Sequence, residues 1–469
     1  MKPANLIYGV DDKPPLWVGI LLGFQHVSLI SIGLVFPVLV TRSVGAGPEA
    51  ATMVLEMSMI AAGLAVILQA LKRGPIGSGY LCPSLCGPSF LSASLLAVKT
   101  GGLSLLFGMT LFAGVAEGLF SRVIKRLRVL FPSEVTGLIV AMVGITVIKL
   151  AGANFLGLDE TDQALRHEEL LVALFTLAAM VGLNVWTRGQ LRLFCILIGM
   201  ILGYVASWLA GVFGPEEFTV LAESSWLSQP FRGHPGWSFD WSLAAPFLIA
   251  MVCSSLKTVG DLTTCQKIND TEWKRPDMEN IGKGVLADAA GCALGGLLGG
   301  LGQSSSSSNI GLSIATGATS RRIALFIGGI LVLLAFCPKL AAIFVIMPRP
   351  VVGATVVFSL CFMVVAGIQI IMMRMIDARK TFVIGLSMIF GLMVDMLPGA
   401  FAGLPGWLAP VFSSSLSAAT VLAVVLNLCF RIGVASKAVL ELERGGEPTW
   451  EVVAFMQRQG GAWGARPDV

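Results

Sequence analysis

The sequence predicts an all-α integral membrane protein. Its fourteen transmembrane segments form a seven-plus-seven inverted repeat, with short broken or strand-like stretches in segments three and ten. Three observations predict this. Of 469 residues, 55% are hydrophobic and 13% are Asp, Glu, Lys or Arg, with a mean hydropathy of +0.83. A soluble domain carries roughly 25% charge, so this chain lacks the charge to cover a wetted surface. Apolar runs recur along the chain, and the basic residues gather in alternate gaps between them. The composition excludes soluble enzymes, nucleic-acid binders and disordered chains. The net charge of +4, from 32 basic and 28 acidic residues, is too mild to mark a polyanionic partner.

A bilayer core about 30 Å thick needs about 20 apolar residues per helix. Such runs fall near 16–40, 53–71, 80–98, 102–120, 134–152, 169–186, 192–213, 243–265, 281–300, 304–318, 322–345, 350–373, 381–397 and 416–433. With a cytoplasmic amino terminus, this count puts 24 of the 32 basic residues on the cytoplasmic side, among them Lys72, Arg73, Lys125, Arg126, Arg321 and Arg322. Seven fall outside or near segment ends, and Lys257 lies within a segment. Both termini are therefore expected in the cytoplasm, with residues 440–469 as a tail, partly helical around Trp450–Gln457. The Trp- and Pro-rich loop 214–242 is the main external feature. The first apolar run is too long for a cleavable signal, which suits a bacterial inner membrane. Nine cysteines without ligand spacing and three histidines (His26, His167, His234) give no reason to expect a metal or cofactor.

Segments three and ten are the poorest spans and the most informative. The third contains Pro83, Gly87 and Pro88; the tenth reads QSSSSSNIGLSIATGATS from Gln303. They lie seven apart, at equivalent places in two halves that an odd segment count inverts. Paired interruptions at matching positions point to a binding site at the midplane. Broken backbone survives at that depth only where protein buries it or it lines a cavity. Serine and glycine also serve close helix packing, but a run of five serines is more polar than packing needs.

In segment eight, Lys257 and Asp261 are four apart and share a helical face, with Ser254 and Thr264 near it. Ionisable side chains at membrane depth are costly and mark function by default, although a structural ion pair between helices is the plainer alternative. Glu56, Glu117, Lys149 and Asp395 read as packing or interfacial residues. Gln25 and His26 make a polar doublet in an otherwise apolar first segment; the histidine reads as a helix–helix hydrogen bonder.

These residues resemble the nucleobase–ascorbate transporter family, which includes uracil, xanthine and urate permeases. The resemblance runs from about residue 14 to 435. It rests on Gln25-His26, Val259-Gly260-Asp261, Ala287-Asp288 and above all Asn309-Ile310-Gly311 followed by Thr316-Gly317, which fits the signature Asn-x-Gly-(x4)-Thr-(Arg/Lys/Gly). It implies a core domain (14–120 and 243–345) that moves elevator-fashion against a gate domain (130–215 and 350–435), in a homodimer. It also implies a small-molecule substrate held between segments three and ten. Carried over, Phe90 stacks on the base, while Lys257, Ser307, Ser308 and Asn309 surround it. Gln25, His26, Asp261, Thr264 and Thr316 provide coupling or support. Two departures matter: Lys257 replaces the glutamate that binds the nucleobase, and Ser308 stands where other members carry Gln, Glu or Pro. An ammonium only donates hydrogen bonds, so an anionic planar heterocycle such as urate or the xanthine monoanion is expected rather than neutral uracil. Coupling to H+ or Na+ stays open, with a Lys257–Asp261 pair in place of the missing carboxylate. The alternative keeps the fold and changes the cargo to a non-nucleobase organic or inorganic anion. A membrane enzyme or channel lacks the surface His/Asp/Glu cluster or pore motif it would need.

Overall fold

A computed structural model describes residue 3 and residues 6–430, apart from 128–131, 159–164, 188–190, 192–194, 215–218, 220–221, 223–224, 228, 230–232, 274–275, 373–375, 402–411 and 413–414. The expected 440–469 tail lies outside the described residues. The helices follow the apolar runs: α1 (Leu16–Arg42), α2 (Pro48–Gln69), α3 (Leu91–Leu127), α4 (Ser133–Thr146), α5 (Ile148–Leu156), α6 (His167–Trp186) and α7 (Cys195–Leu209). After these come α8 (Ala244–Asn269), α9 (Met278–Leu298), α10 (Ser307–Thr316), α11 (Ile323–Ala335), α12 (Pro338–Val345), α13 (Arg349–Ile371), α14 (Ala378–Met396) and α15 (Ser415–Cys429). Among the described residues, eight helical stretches are long and apolar enough to cross a membrane, and three shorter ones are apolar as well.

Two strands interrupt this helical order, β1 (Ser84–Cys86) and β2 (Gln303–Ser305). They pair antiparallel, Ser84 opposite Ser305 and Cys86 opposite Gln303. Pro83 and Pro88 bracket β1, and proline's lost donor and fixed φ keep helix from running through that stretch. Main-chain bonds from Gly87 N to Gly302 O and from Ser306 N to Pro83 O, both 2.8 Å, extend the pairing at each end. A 3-10 turn, Pro88–Phe90, leads from β1 into α3; β2 leads into α10 through Ser306. Both helices therefore start at the small sheet, deep inside the protein. α3 breaks at Gly101-Gly102, where Gly102 takes φ +72° and ψ −165°, a backbone state open essentially to glycine alone.

The helices gather in two groups. α3 packs along α9, and α2 against α9 and α11, with α1, α8, α10 and the sheet beside them; α13 packs against α4, α5 and α6, and α14 against α15. Glycines make the closest approaches, as expected where association in lipid rests on van der Waals contact. A Cβ on Gly296 would stand 2.3 Å from Leu111 N, and one on Gly367 2.3 Å from Ala141 N. α8 bridges the groups, touching α4 and α15.

Ahead of α1, residues 6–12 lie along the chain that leaves α10. Ile7 N and Tyr8 N donate to Gly317 O, Thr319 N donates to Tyr8 O, and Arg321 N donates to Val10 O. Asp11 pairs with Lys72 and with Arg321. At the other end of the bundle, residues 233–240 rest on α3 and α9: Trp237 Nε1 donates to Gly296 O at 3.0 Å, and the His234 ring lies 5.2 Å from that of Phe107.

Candidate functional site

α8 carries a polar face through the bundle. Ser254, Thr258 and Asp261 recur at helical spacing, and with Ser255 and Lys257 they are buried. That face meets β2 and the first turn of α10. Lys257 Nζ donates to the main-chain carbonyl of Ser305. Ser305 Oγ donates to Asp261 Oδ2 at 2.5 Å, and Ser307 Oγ to Asp261 Oδ1 at 2.6 Å. Thr258 Oγ1 is 3.0 Å from Ser305 Oγ and donates to Asp288 Oδ2 of α9 at 2.7 Å. Ser305 thus stands between lysine and aspartate, its carbonyl taking the ammonium and its hydroxyl serving the carboxylate. Both oxygens of Asp261 are satisfied, as burial demands, while Asp288 Oδ1 has no hydrogen-bond partner.

A second arm comes from α1. His26 Nδ1 lies 2.8 Å from Asn309 Oδ1, and Asn309 Nδ2 donates to Ser306 Oγ at 2.8 Å. The amide nitrogen is thereby spent on Ser306, so its oxygen is the acceptor and the imidazole donates from Nδ1. Gln25 and His26 are both buried.

Phe90, at the end of the 3-10 turn after β1, is fully buried. Its ring covers Gly302, where a Cβ would stand 2.7 Å from the ring carbon. Next to it is a small recess lined by Ser89, Ser92, Ala93 and Leu96, by Pro246 and Ala250 of α8, and by Leu416 and Ser417 of α15. Ser89 Oγ faces this boundary between the helix groups without a hydrogen-bond partner.

Lys257, Asp261, Ser307, Asn309 and His26 therefore converge on the second broken segment, with Phe90 on the first. Three expected residues do not join them. Thr264 is exposed, its hydroxyl turned back to Gly260 O at 3.0 Å: the serine stretch covers α8 only as far as Asp261, and the next turn runs past it. Thr316 bonds within α10, to Leu312 O at 2.9 Å. Ser308 is exposed. Lys257 and Asp261 do not pair directly; Ser305 comes between them. Glu117, read as a packing or interfacial residue, is fully buried and accepts from Ser255 Oγ at 2.7 Å. Asp395 accepts from Ser415 Oγ. Thr258, Ser305 and Asp288 were missed as site residues, although the spacing of Ser254, Thr258 and Asp261 carries the signal. Among the described residues, no group of three His, Cys, Asp or Glu could hold a metal ion.

This geometry can be set beside known proteins. A family model described as "Permease family" (Xan_ur_permease) matches residues 19–400. The chain belongs to this family. It is the nucleobase–ascorbate transporter family that the Asn309–Gly317 signature resembles, and membership makes the chain a multi-pass membrane transporter. The permease is 33% identical over 425 residues to a putative purine permease of Clostridium perfringens, covering 90% of this chain and 93% of the relative. It is 28% identical to the xanthine permease XanP of Escherichia coli, over 91% of this chain and 95% of XanP. Identity to the uric acid permease PucJ of Bacillus subtilis is 27%, over 88% and 92% of the two chains. In fold it is similar to the transmembrane domain of the cyanobacterial bicarbonate transporter BicA, with TM-score 0.53 and 15% identity over 90% of this chain and 99% of that one. Murine Slc26a9, an anion transporter in an inward-facing state, gives TM-score 0.61 at 12% identity, over 90% of this chain and 69% of that one.

Proposed function

We propose that the permease is a secondary active transporter of an oxidised purine, urate or xanthine, taken as the anion. The observation that carries this reading is Lys257. A buried ammonium held at Ser305 offers donors and no acceptors, and its charge favours a negatively charged partner in a dry site. Support comes from α3 and α10, which both begin at the β1–β2 sheet. The positive dipole ends of helices that start there favour anions at that depth. The named relatives carry purines, xanthine and uric acid.

Fourteen segments form two inverted halves. Residues 14–120 and 243–345 make a core domain, and 130–215 and 350–435 a gate domain. The core slides against the gate, carrying the substrate from one side to the other, and two copies associate as a homodimer. Both termini face the cytoplasm of a bacterial inner membrane. The recess at Ser89 lies where the two groups of helices meet and offers the way in.

The test is uptake and counterflow in proteoliposomes against urate, xanthine, uracil, ascorbate, bicarbonate and sulfate, for the natural protein and for Lys257→Glu. Urate or xanthine is expected to be carried best, and Lys257→Glu to shift preference toward neutral bases. Identical profiles for the two proteins would make Lys257 structural. Transport of bicarbonate or sulfate without any purine would move the permease to an inorganic anion.

A further inference from the structure

Helix α10 brings Ser307 and Asn309 to the site, yet its own sequence holds it weakly. It is ten residues long, and helices shorter than about 12–15 residues are marginal without outside support. Its sequence, SSNIGLSIAT, includes a glycine, three serines, an asparagine and a threonine, none of them a strong helix former. A Cβ on Gly311 would meet nothing within 4 Å, so packing does not call for that glycine. Support for α10 must come from its ends.

The first end is fastened at the site, to Asp261 through Ser307 and to His26 through Asn309. The far end turns at Gly317, φ +64°, where Gly317 N bonds back to Ile314 O and Ala318 N to Ser313 O. The helix offers no N–H to the carbonyl of Gly317 itself. The ribbon ahead of α1 supplies two: Ile7 N donates to it at 2.8 Å and Tyr8 N at 3.0 Å. Tyr8 O accepts in turn from Thr319 N at 2.8 Å. Thr319 is 3% exposed, and its hydroxyl donates at 2.6 Å to Oδ1 of Asn269, the last residue of α8. Asn269 Nδ2 is already bonded to Cys265 O, so the amide oxygen is the acceptor. Ser320 Oγ adds a bond to Asp12 O at 2.6 Å. Asp11 pairs with Lys72 and Arg321, but it is exposed and such pairs contribute little. The main-chain bonds and the Thr319 hydroxyl carry the connection.

α8 and α10 thus meet twice. They meet at the site, where Asp261 holds Ser307, and again at their far ends, about 15 Å along α10 at a helical rise of about 1.5 Å per residue. A short helix fastened at one end can tilt about it; fastened at both, it keeps its first turn in place. We propose that Tyr8 and Thr319 are positioning residues for the substrate site. Neither touches it. They clasp the far end of α10 to that of α8 and so present Ser307 and Asn309 to the substrate in fixed register. The clasp follows from the geometry alone; its effect on purines rests on the transport reading above.

Hydrogen–deuterium exchange of the purified permease reads the clasp. Tyr8→Pro deletes one donor to Gly317 O, and Thr319→Val deletes the tie to Asn269 while keeping the side chain's shape. In both, the amides of 307–316 are expected to exchange about fivefold faster or more, the weight of one hydrogen bond, with α13 unchanged. Exchange in α10 equal to that of the natural protein overturns the proposal, and so does equal acceleration in α13. Should Tyr8→Pro fail to fold, Thr319→Val decides alone. Uptake of xanthine and urate into proteoliposomes reads the site. In Thr319→Val the KM is expected to rise about fivefold or more with the maximal rate kept, and Thr319→Ser, which retains the hydroxyl, should restore it. An unchanged KM, or KM and maximal rate worsening together without rescue by Thr319→Ser, overturns the positioning role. A natural protein that carries neither purine sinks the nucleobase reading instead, and exchange in α10 still decides the clasp.

Discussion

His26 of α1 and Asn309 of α10 are joined by a buried hydrogen bond of 2.8 Å across 283 positions of sequence. It ties the first helix to the turn where the second broken segment becomes helix again. Since Asn309 also holds Ser306, one imidazole fixes both the amide and the serine before it.

Removing this link leaves a buried amide oxygen without a donor, at a cost of about 1–3 kcal/mol. His26→Ala is expected to lower the melting temperature in detergent and to weaken purine binding. His26→Gln, which can still donate, should recover part of both. Unchanged melting and affinity in His26→Ala would separate this bond from the site.

Asp261 holds two serine hydroxyls, from Ser305 and Ser307. Asp261→Asn keeps one acceptor oxygen and turns the other position into a donor facing a hydroxyl. Substrate affinity is expected to fall about tenfold, since each hydrogen bond to a charged group contributes about 1.5–3 kcal/mol. The larger loss should appear in Asp261→Ala, read by thermal-shift titration with xanthine and urate.

Gly302 lies under the Phe90 ring, with room for no Cβ. Gly302→Ala is expected to displace the ring and destabilise the protein by about 1–3 kcal/mol, as overpacking does. Pairing it with Phe90→Leu should recover stability but not the binding of planar ligands. If Gly302→Ala and Phe90→Leu bind urate like the natural protein, stacking by Phe90 is removed from the mechanism.

His234 lies outside the membrane helices, and partial burial holds its imidazole below the ordinary value of 6.5. Its Nδ1 accepts from Gly236 N at 2.9 Å, which requires a neutral ring. A depressed histidine means that the unfolded chain binds the proton first. Stability is therefore full above about 6.5 and lost as pH falls from there toward the lower folded value. Melting temperature should decline over that window, and the decline should flatten in His234→Gln.

The expectations that rested on covalent chemistry carried into three dimensions. Pro83, Gly87 and Pro88 together stop helix in segment three, and the two strands lie where those residues and the serine run interrupt the apolar pattern. The i, i+4 spacing of Lys257 and Asp261 put both on one face before any fold was known. What the sequence concealed depends on pairing. Only the register of β1 on β2 brings the Ser305 carbonyl to the lysine, and no periodicity on α8 shows that the serine stretch ends short of Thr264. Packing and interfacial roles stayed open for Glu117 because its partner, Ser255, is 138 positions away.

The stretch before α1 is laced to residues 317–321 by four main-chain hydrogen bonds and by the Asp11–Arg321 pair. If α10 moves in transport as proposed, this ribbon must ride as its passenger. A dye on Lys13, at an exposed surface, would then track the voyage of the moving half from outside, leaving the cargo hold untouched.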